Sequence, residues 1–298
     1  MSLSFSPALP PIVARLRAAG CVFAEDEARL LASAARTPAE LDDMVNRRAA
    51  GLPLEHVLGW AEFCGLRLAV GPGVFVPRPR TEFLVRQAAA LAGPGAVVVD
   101  MCCGSGAMGA ALAAVAGPIE LHAVDVDPAA VRCARRNLAP AGGAAVGTVY
   151  EGDLYAALPA ALRGRVDVIV ASPPYVPTDA IGLLPPEARV HEPQVALDGG
   201  ADGLDVVRRV VAEAGGWLAP GGHLLVETSG GQAERTAEAV ARAGLAARLT
   251  RDDELDATAV IGTRPAGARG PGGGPREEPV DRLRVPTSGP GATEGAHP

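Results

Sequence analysis

The sequence predicts an α/β fold in which helices cover both faces of a mostly parallel sheet. From residue 96 onward, short apolar segments alternate with segments of helical periodicity. Segments such as 97–99 and 166–171 are largely apolar at consecutive positions, which is typical of strands buried on both faces. Alternation of helices with such strands indicates a parallel sheet, and ligands bind these sheets at the carboxyl ends of the strands.

The N-terminal part, residues 1–75, is predicted to be a small helical domain that ends in a hairpin. Apolar residues at helical spacing predict three short helices. The third begins with an N-cap, a proline in the first turn and a capping-box acid at Thr37-Pro38-Ala39-Glu40. Residues 57–59 and 66–70 predict the two arms of a short hairpin. Trp60 and Phe63 are expected to pack this hairpin against the following domain.

Residues 76–264 are predicted to form the sheet domain. Thr81 is expected to cap its first helix. Further helices are predicted at 106–115, 128–138, 203–214 and 232–243, and strands at 96–100, 120–125, 146–150, 166–171, 222–227, 246–249 and 258–263. Glycine and proline supply 15 of the 35 residues from 264 to 298. Residues 265–298 are therefore predicted to be a disordered tail.

Composition narrows the class of function. The formal net charge of −7 disfavours tight, non-specific binding to nucleic acid, which depends on neutralising phosphates. No stretch has the length of an apolar membrane span, and the first residues do not resemble a secretory signal. The five cysteines form no CxxC pair and are expected to be reduced thiols, with no metal site. We expect a cytoplasmic monomer.

A glycine loop follows the first predicted strand of the sheet domain. It comprises Asp100, Met101, Cys102, Cys103, Gly104, Ser105 and Gly106. Glycines allow a ligand to approach the backbone, and the helix that follows offers free N–H groups. Residues 104–109 also spell the dinucleotide pattern GxGxxG, with an acid, Asp125, about 20 residues further on. At this point a nicotinamide cofactor remains an alternative.

Acidic residues follow the next two predicted strands. Asp125 ends its strand, where a carboxylate can accept both hydroxyls of a ribose. Asp127 precedes Pro128 and is expected to cap a helix. Asp153 can accept a hydrogen bond from an adenine amino group, but a solvated turn explains it equally well.

The motif Ser172-Pro173-Pro174-Tyr175 follows the fourth predicted strand. Two prolines fix the backbone and remove two amide donors, so the carbonyls there need other partners. The Ser172 hydroxyl and the Pro173 carbonyl can accept the two N–H bonds of a planar amide or nucleobase amino group, with the Tyr175 ring stacked on its face. The nitrogen would then face a methyl sulfonium, and catalysis would rest on positioning.

These motifs resemble the HemK/PrmC family of protein-(glutamine-N5) methyltransferases, which act on peptide-chain release factors. The resemblance covers most of residues 1–263, including the segments 58–63, 76–79, 184–193 and 196–203. It implies a class I methyltransferase fold, Rossmann-like, with a seven-stranded sheet whose last strand is antiparallel. It also implies a protein substrate, such as a release factor, and S-adenosylmethionine as cofactor. The residues assigned to the cofactor are Asp100, Cys102, Gly104, Ser105, Gly106, Asp125, Asp153, Leu154 and Ser172; those assigned to catalysis are Ser172, Pro173, Pro174 and Tyr175.

Three residues depart from the family pattern and indicate a divergent relative. Cys102 replaces a glycine, which cofactor binding should tolerate if φ is negative there. Ser172 stands where asparagine is common, and its shorter side chain is expected to hold a glutamine amide less specifically. Arg80 replaces an acid near the mouth of the pocket and is expected to alter the partner.

Two other hypotheses stay open beside this one. The tetrapeptide at 172–175 also resembles the motif of enzymes that methylate cytosine N4, although we find no long insert for target recognition. A scaffold that binds cofactor without turnover is the second, motivated by Cys102 and Ser172. The nicotinamide alternative is disfavoured, because a dehydrogenase has no use for this tetrapeptide. Glu227 is expected to support the pocket floor. A role for His191 in shaping the site stays open, but a structural role is favoured.

Overall fold

The N-terminal part is a helical bundle, as predicted. The computed structural model describes residues 8–139 and 146–267. Helices α1, α2 and α3 pack around Leu16, Leu31 and Leu41, which are at most 4% exposed. The Thr37 side chain accepts a hydrogen bond from the Glu40 amide at 3.1 Å, so the predicted N-cap is confirmed. From residue 8 onward, the helices of this part are α1 Leu9–Ala18, α2 Ala24–Ala34, α3 Pro38–Ala49 and α4 Leu54–Leu58.

The hairpin is present, but its first arm begins later than predicted. Val57 and Leu58 belong to α4, and the antiparallel strands are β1 Trp60–Phe63 and β2 Leu66–Ala69. The prediction of a strand at 57–59 was wrong because a short apolar run does not distinguish helix from strand. Gly59, with φ +80°, ends the helix in the left-handed conformation. Phe63 packs into the core of the sheet domain, as predicted, whereas Trp60 is partly exposed beneath the Arg67 guanidinium.

Within the part of the chain that the structure describes, the main sheet has seven strands, of which the last in the chain is antiparallel to both neighbours. Across the sheet the order is β5-β4-β3-β6-β7-β9-β8. This confirms the topology implied by the family resemblance, and each predicted strand is found within a few residues of its place. The strands are β3 Val97–Met101, β4 Glu120–Asp125, β5 Gly147–Glu151, β6 Val166–Ala171, β7 Leu218–Thr228, β8 Ala246–Asp252 and β9 Ala257–Thr263.

Two layers of helices cover the sheet. Val98 and Val170 face the layer of α5, α6 and α7, while Val99 and Ile169 face α9 and α10. This alternation is the period of two expected of strands, with both faces buried. Within the described residues, none of the helices is long and apolar enough to cross a membrane. The helices are α5 Glu82–Ala89, α6 Ala107–Val115, α7 Pro128–Asn137, α8 Pro186–His191, α9 Asp205–Trp217 and α10 Ala233–Arg242.

Thr81 does not cap α5 with its side chain. It lies directly before the helix, but its hydroxyl donates to the Glu227 carboxylate at 2.8 Å. The prediction failed because a partner on β7, distant in sequence, takes the hydroxyl. The described residues up to Ala266 belong to one compact unit. The boundary near residue 75 stays a prediction, and residues 268–298 of the predicted tail lie outside the described residues.

Candidate active site

A cavity of about 330 Å³ lies at the carboxyl ends of β3, β4 and β6. These three strands are parallel neighbours, so the loops that follow them meet at one edge of the sheet. Nine of the residues predicted as site residues line it: Cys102, Gly104, Asp125, Asp153, Leu154, Ser172, Pro173, Pro174 and Tyr175.

Asp125 connects the glycine loop to the end of β4. One carboxylate oxygen accepts from the Gly104 amide at 2.8 Å, and the other accepts from the Asp127 amide at 2.9 Å. A carboxylate has about four lone-pair positions. Asp125 also lines the cavity, so its carboxylate can accept further hydrogen bonds from a ligand there. Asp127 caps α7 through the Ala129 amide at 2.8 Å, which confirms its predicted role.

The glycine loop is left-handed at each of its three key positions. Cys102, Gly104 and Gly106 have φ values of +58°, +55° and +76°. The condition of a negative φ, under which Cys102 should be tolerated, is therefore not met, and this residue carries strain of about 1–2 kcal/mol. Burial raises the pKa of its thiol, so it is a neutral part of the cavity wall. At Gly106 a Cβ atom would lie 3.1 Å from the backbone of Ala134, so the close approach to α7 requires glycine.

Asp100, Ser105 and Gly106 do not line the main cavity. Asp100 is fully buried behind the loop, and one of its oxygens accepts from the Gly109 amide at 2.8 Å, which ties β3 to α6. Its other oxygen has no partner among the described residues. Burial raises the pKa of Asp100 to about 7. Contact of these three residues with a cofactor stays a prediction.

The turn after β5 contributes Asp153 and Leu154. The Asp153 carboxylate accepts from the Arg209 guanidinium at 2.6 Å, and both side chains are more than half exposed. Arg209 lies on α9 and lines the cavity, although no motif pointed to it. Asp153 is more exposed to solvent than Asp125, so a hydrogen bond from a ligand would contribute less there.

A distant segment holds the backbone of residues 172–175 in place. The carbonyl oxygen of Tyr175 accepts from the Gln232 side chain at 2.9 Å. At Gly203, which has φ +75°, a Cβ atom would lie 2.2 Å from that same oxygen. At Gly199 a Cβ atom would lie 2.7 Å from the Pro174 oxygen. A side chain at either position would overlap a carbonyl oxygen of the tetrapeptide, so the segment at 196–203 can pack against residues 172–175 only with glycine at 199 and 203.

Two hydrogen-bond acceptors stay available at the cavity wall. Over residues 8–139 and 146–267, neither the Ser172 hydroxyl nor the Pro173 carbonyl forms a hydrogen bond within the protein. Ser172 also borders a small adjoining cavity of about 50 Å³, together with Cys103 and Ser105. That these two groups accept hydrogen bonds from a substrate stays a prediction.

A second cleft of about 610 Å³ adjoins the first, and Phe75, Tyr175 and Ala196 line both. Its remaining wall brings together the helical bundle, the linker at 75–80 and the segment at 184–197. Two ion pairs hold that segment: Arg78 to Glu192 at 2.5 Å, and Arg48 to Glu187 at 3.2 Å. Sequence patterns gave no signal for this cleft, because its residues are separated by more than one hundred positions. His191 lines neither cavity.

Comparisons with known proteins agree with this geometry. Residues 67–183 match the family model described as "Methyltransferase small domain". The release factor glutamine methyltransferase of Geobacter sulfurreducens is 42% identical to the chain over 74% of its length and 76% of its own. The corresponding protein of Mycolicibacterium smegmatis is also 42% identical, over 73% and 76%.

Solved structures support the fold. A methyltransferase from Pyrococcus furiosus superposes with a TM-score of 0.52 at 19% identity, covering 67% of this chain and 90% of its own. A 16S rRNA N2 G1207 methyltransferase from T. Thermophilus, solved with AdoMet and guanosine, gives a TM-score of 0.51 at 21% identity, covering 69% and 49%. At these identities the likeness establishes the class I methyltransferase fold.

Proposed function

This chain belongs to the family of release factor glutamine methyltransferases, and we propose that it methylates the side-chain amide nitrogen of a glutamine in a peptide-chain release factor, with S-adenosylmethionine as methyl donor. The observation that carries the proposal is the pair of unused acceptors, Ser172 and Pro173, at the wall of a cavity that the second cleft adjoins. A primary amide presents two coplanar N–H donors, which is the complement of such a pair.

The residues of the first cavity fit S-adenosylmethionine. Its volume of about 330 Å³ lies in the range of small-molecule sites. The Asp125 carboxylate at the cavity wall suits ribose hydroxyls, and apolar walls at Val124, Val126 and Leu154 suit a flat purine ring. When bound, the cofactor supplies an electrophilic methyl group. Asp125 would hold the ribose, and the backbone N–H groups near Gly104 would lie beside the cofactor.

The substrate amide is held by residues 172–175. The Ser172 hydroxyl and the Pro173 carbonyl accept hydrogen bonds from its two N–H groups, which fixes the amide plane and the direction of its nitrogen. The half-buried Tyr175 ring packs against the face of the amide, on the side where the two cavities meet. Alignment of the nitrogen, whose lone pair is delocalised in the free amide, is the main contribution to rate. The second cleft gives a protein loop access to this point.

The test is a transfer assay with methyl-labelled S-adenosylmethionine. Substrates are a release factor, the same factor with its candidate glutamine replaced, and a cell extract treated with or without nuclease. We expect label on the glutamine amide, reduced at least about tenfold in Ser172→Ala because one acceptor is lost. Ser33→Ala is the matched control, since that exposed hydroxyl bonds only to the Leu30 carbonyl, within its own helix.

Other outcomes separate the alternatives. Label that disappears with nuclease would assign the activity to nucleic acid instead. Label on a different protein would keep the methyltransferase and replace the substrate. Cofactor binding without any transfer would make the chain a scaffold.

A further inference from the structure

We infer that Arg80 is a positioning residue that fixes the Tyr175 ring where the two cavities meet, and thereby sets how the substrate amide is aligned; the inference rests on the proposed function. The Arg80 guanidinium donates a hydrogen bond to the Tyr175 hydroxyl. The same guanidinium carbon lies 5.8 Å from the centre of the ring, within cation–π range. Arg80 lines the second cleft beside that ring.

Arg80 is itself anchored to the sheet. Its Nε atom lies 3.5 Å from one oxygen of Glu227, near the end of β7. The other oxygen of Glu227 accepts from the Thr81 hydroxyl at 2.8 Å, and Glu227 is only 6% exposed. A buried carboxylate that contacts two partners has little freedom to move. Glu227 therefore supports the cavity from behind, through Arg80.

The two ends of Tyr175 are held by different parts of the chain. Gln232 fixes its carbonyl, whereas Arg80 is the described partner of its hydroxyl. Burial raises the pKa of the Tyr175 phenol, while the Arg80 charge lowers it. A neutral phenol accepts from the guanidinium and keeps its own proton. Loss of Arg80 would leave the backbone in place but release the ring.

Neighbouring arginines do not duplicate this contact. Arg78 pairs with Glu192, and Arg86 pairs with Asp252 at 2.5 Å, away from both cavities. Arg86 also lies within cation–π range of an aromatic ring, that of Phe83. It therefore serves as a matched control that removes an arginine, an ion pair and a ring contact without touching the site.

The experiment is a double-mutant cycle with Arg80→Gln, Tyr175→Phe and the double variant, beside Arg86→Gln. For each protein, kcat and KM are measured with a release factor, and cofactor affinity is measured by calorimetry. We expect Arg80→Gln to lower kcat/KM about tenfold while cofactor affinity stays unchanged, because the amide is misaligned. In the Tyr175→Phe background the same change should have less than about a twofold effect. Arg86→Gln should match the wild type.

A spectroscopic readout makes the contact testable without turnover. The chain has three tyrosines, so ring-labelled tyrosine gives a simple NMR spectrum in which Tyr175→Phe identifies one signal. Arg80→Gln should shift that signal and leave those of Tyr150 and Tyr155 in place. An unmoved signal, or equal effects of Arg80→Gln on kcat/KM in both backgrounds, would overturn the inference. A wild-type protein that produces no methylglutamine would instead contradict the proposed function, while the NMR signal would still decide the contact.

Discussion

The glycine loop after β3 and the tetrapeptide after β6 lie side by side on the same sheet edge, yet different forces fix their shapes. Residues 102–106 are shaped locally, by left-handed residues and by the helix that starts immediately after them. Residues 172–175 have no helix of their own. They are held by Gly199, Gly203 and Gln232, which approach from later in the chain.

This difference separates two tasks of the site. A loop shaped by its own sequence can present backbone N–H groups to a cofactor wherever the strand ends. The tetrapeptide is held from outside through the Tyr175 carbonyl, so the Ser172 hydroxyl and the Pro173 carbonyl stay unused among the described residues. The second arrangement leaves acceptors available for a substrate. Four predictions test this contrast, in order of decreasing effect.

Gly203→Ala should remove the external support of the tetrapeptide. Its Cβ atom would lie 2.2 Å from the Tyr175 oxygen at a φ of +75°, so steric overlap and backbone strain add. We expect a loss of about 5 kcal/mol in the free energy of unfolding, measured by urea titration. Gly182→Ala is the control, since its Cβ would meet no atom within 4 Å. Similar stabilities of the two variants would show that the tetrapeptide does not need this support.

Asp100, which ties β3 to α6 behind the glycine loop, makes the stability of the protein depend on pH. Burial raises its pKa to about 7, so the folded protein keeps a proton that the unfolded chain has already released. Stability from this group is therefore present at low pH and is lost as pH rises towards 7. Between pH 5 and 8, the free energy of unfolding of the wild type without cofactor should fall by roughly 3 kcal/mol more than that of Asp100→Asn.

Urea unfolding at the two pH values measures this difference. Asp43→Asn serves as the control, because Asp43 is an exposed carboxylate on α3. Parallel pH profiles for wild type and Asp100→Asn would show that Asp100 is ionised in the folded protein.

Asp125→Ala should affect the cofactor side alone. It removes a carboxylate that lines the cavity, and hydrogen bonds to charged groups contribute about 1.5–3 kcal/mol. We expect cofactor affinity to fall about a hundredfold by calorimetry. Asp153→Ala should have a smaller effect, because that carboxylate is more than half exposed to solvent, where a hydrogen bond contributes less. An equal loss in both variants would place Asp153 on the ligand after all.

Cys102→Gly should have the smallest effect, and it should raise the free energy of unfolding where the other changes lower stability or affinity. Glycine relieves the left-handed strain at φ +58° but loses a little packing. We expect a gain of about 0.5–1 kcal/mol in unfolding free energy with cofactor affinity kept. Cys103→Gly, at a buried neighbour with ordinary φ, should instead destabilise. A loss of stability in Cys102→Gly would mean that the thiol packs better than its backbone strain suggests.

The sequence alone determined the seven strands, most of the helices, the glycine loop, the helix-capping role of Asp127 and the tetrapeptide. Each of these depends on periodicity or spacing within one element, which a single segment reveals. It failed where a short apolar run had two possible conformations, as at Val57 and Leu58. It also failed at Thr81, whose hydroxyl bonds to the distant Glu227, and at Cys102, whose side chain gives no indication of a positive φ.

Only the tertiary structure decided which residues complete the site. Arg209 meets Asp153, Gly203 meets Tyr175, and the second cleft joins the helical bundle to the segment at 184–197. Arg80 stood out in the sequence as a departure from a family pattern, but its partners Tyr175 and Glu227 are 95 and 147 positions away. Contacts at such separations depend on how packed layers bring loops together, and no local pattern along the chain encodes that arrangement.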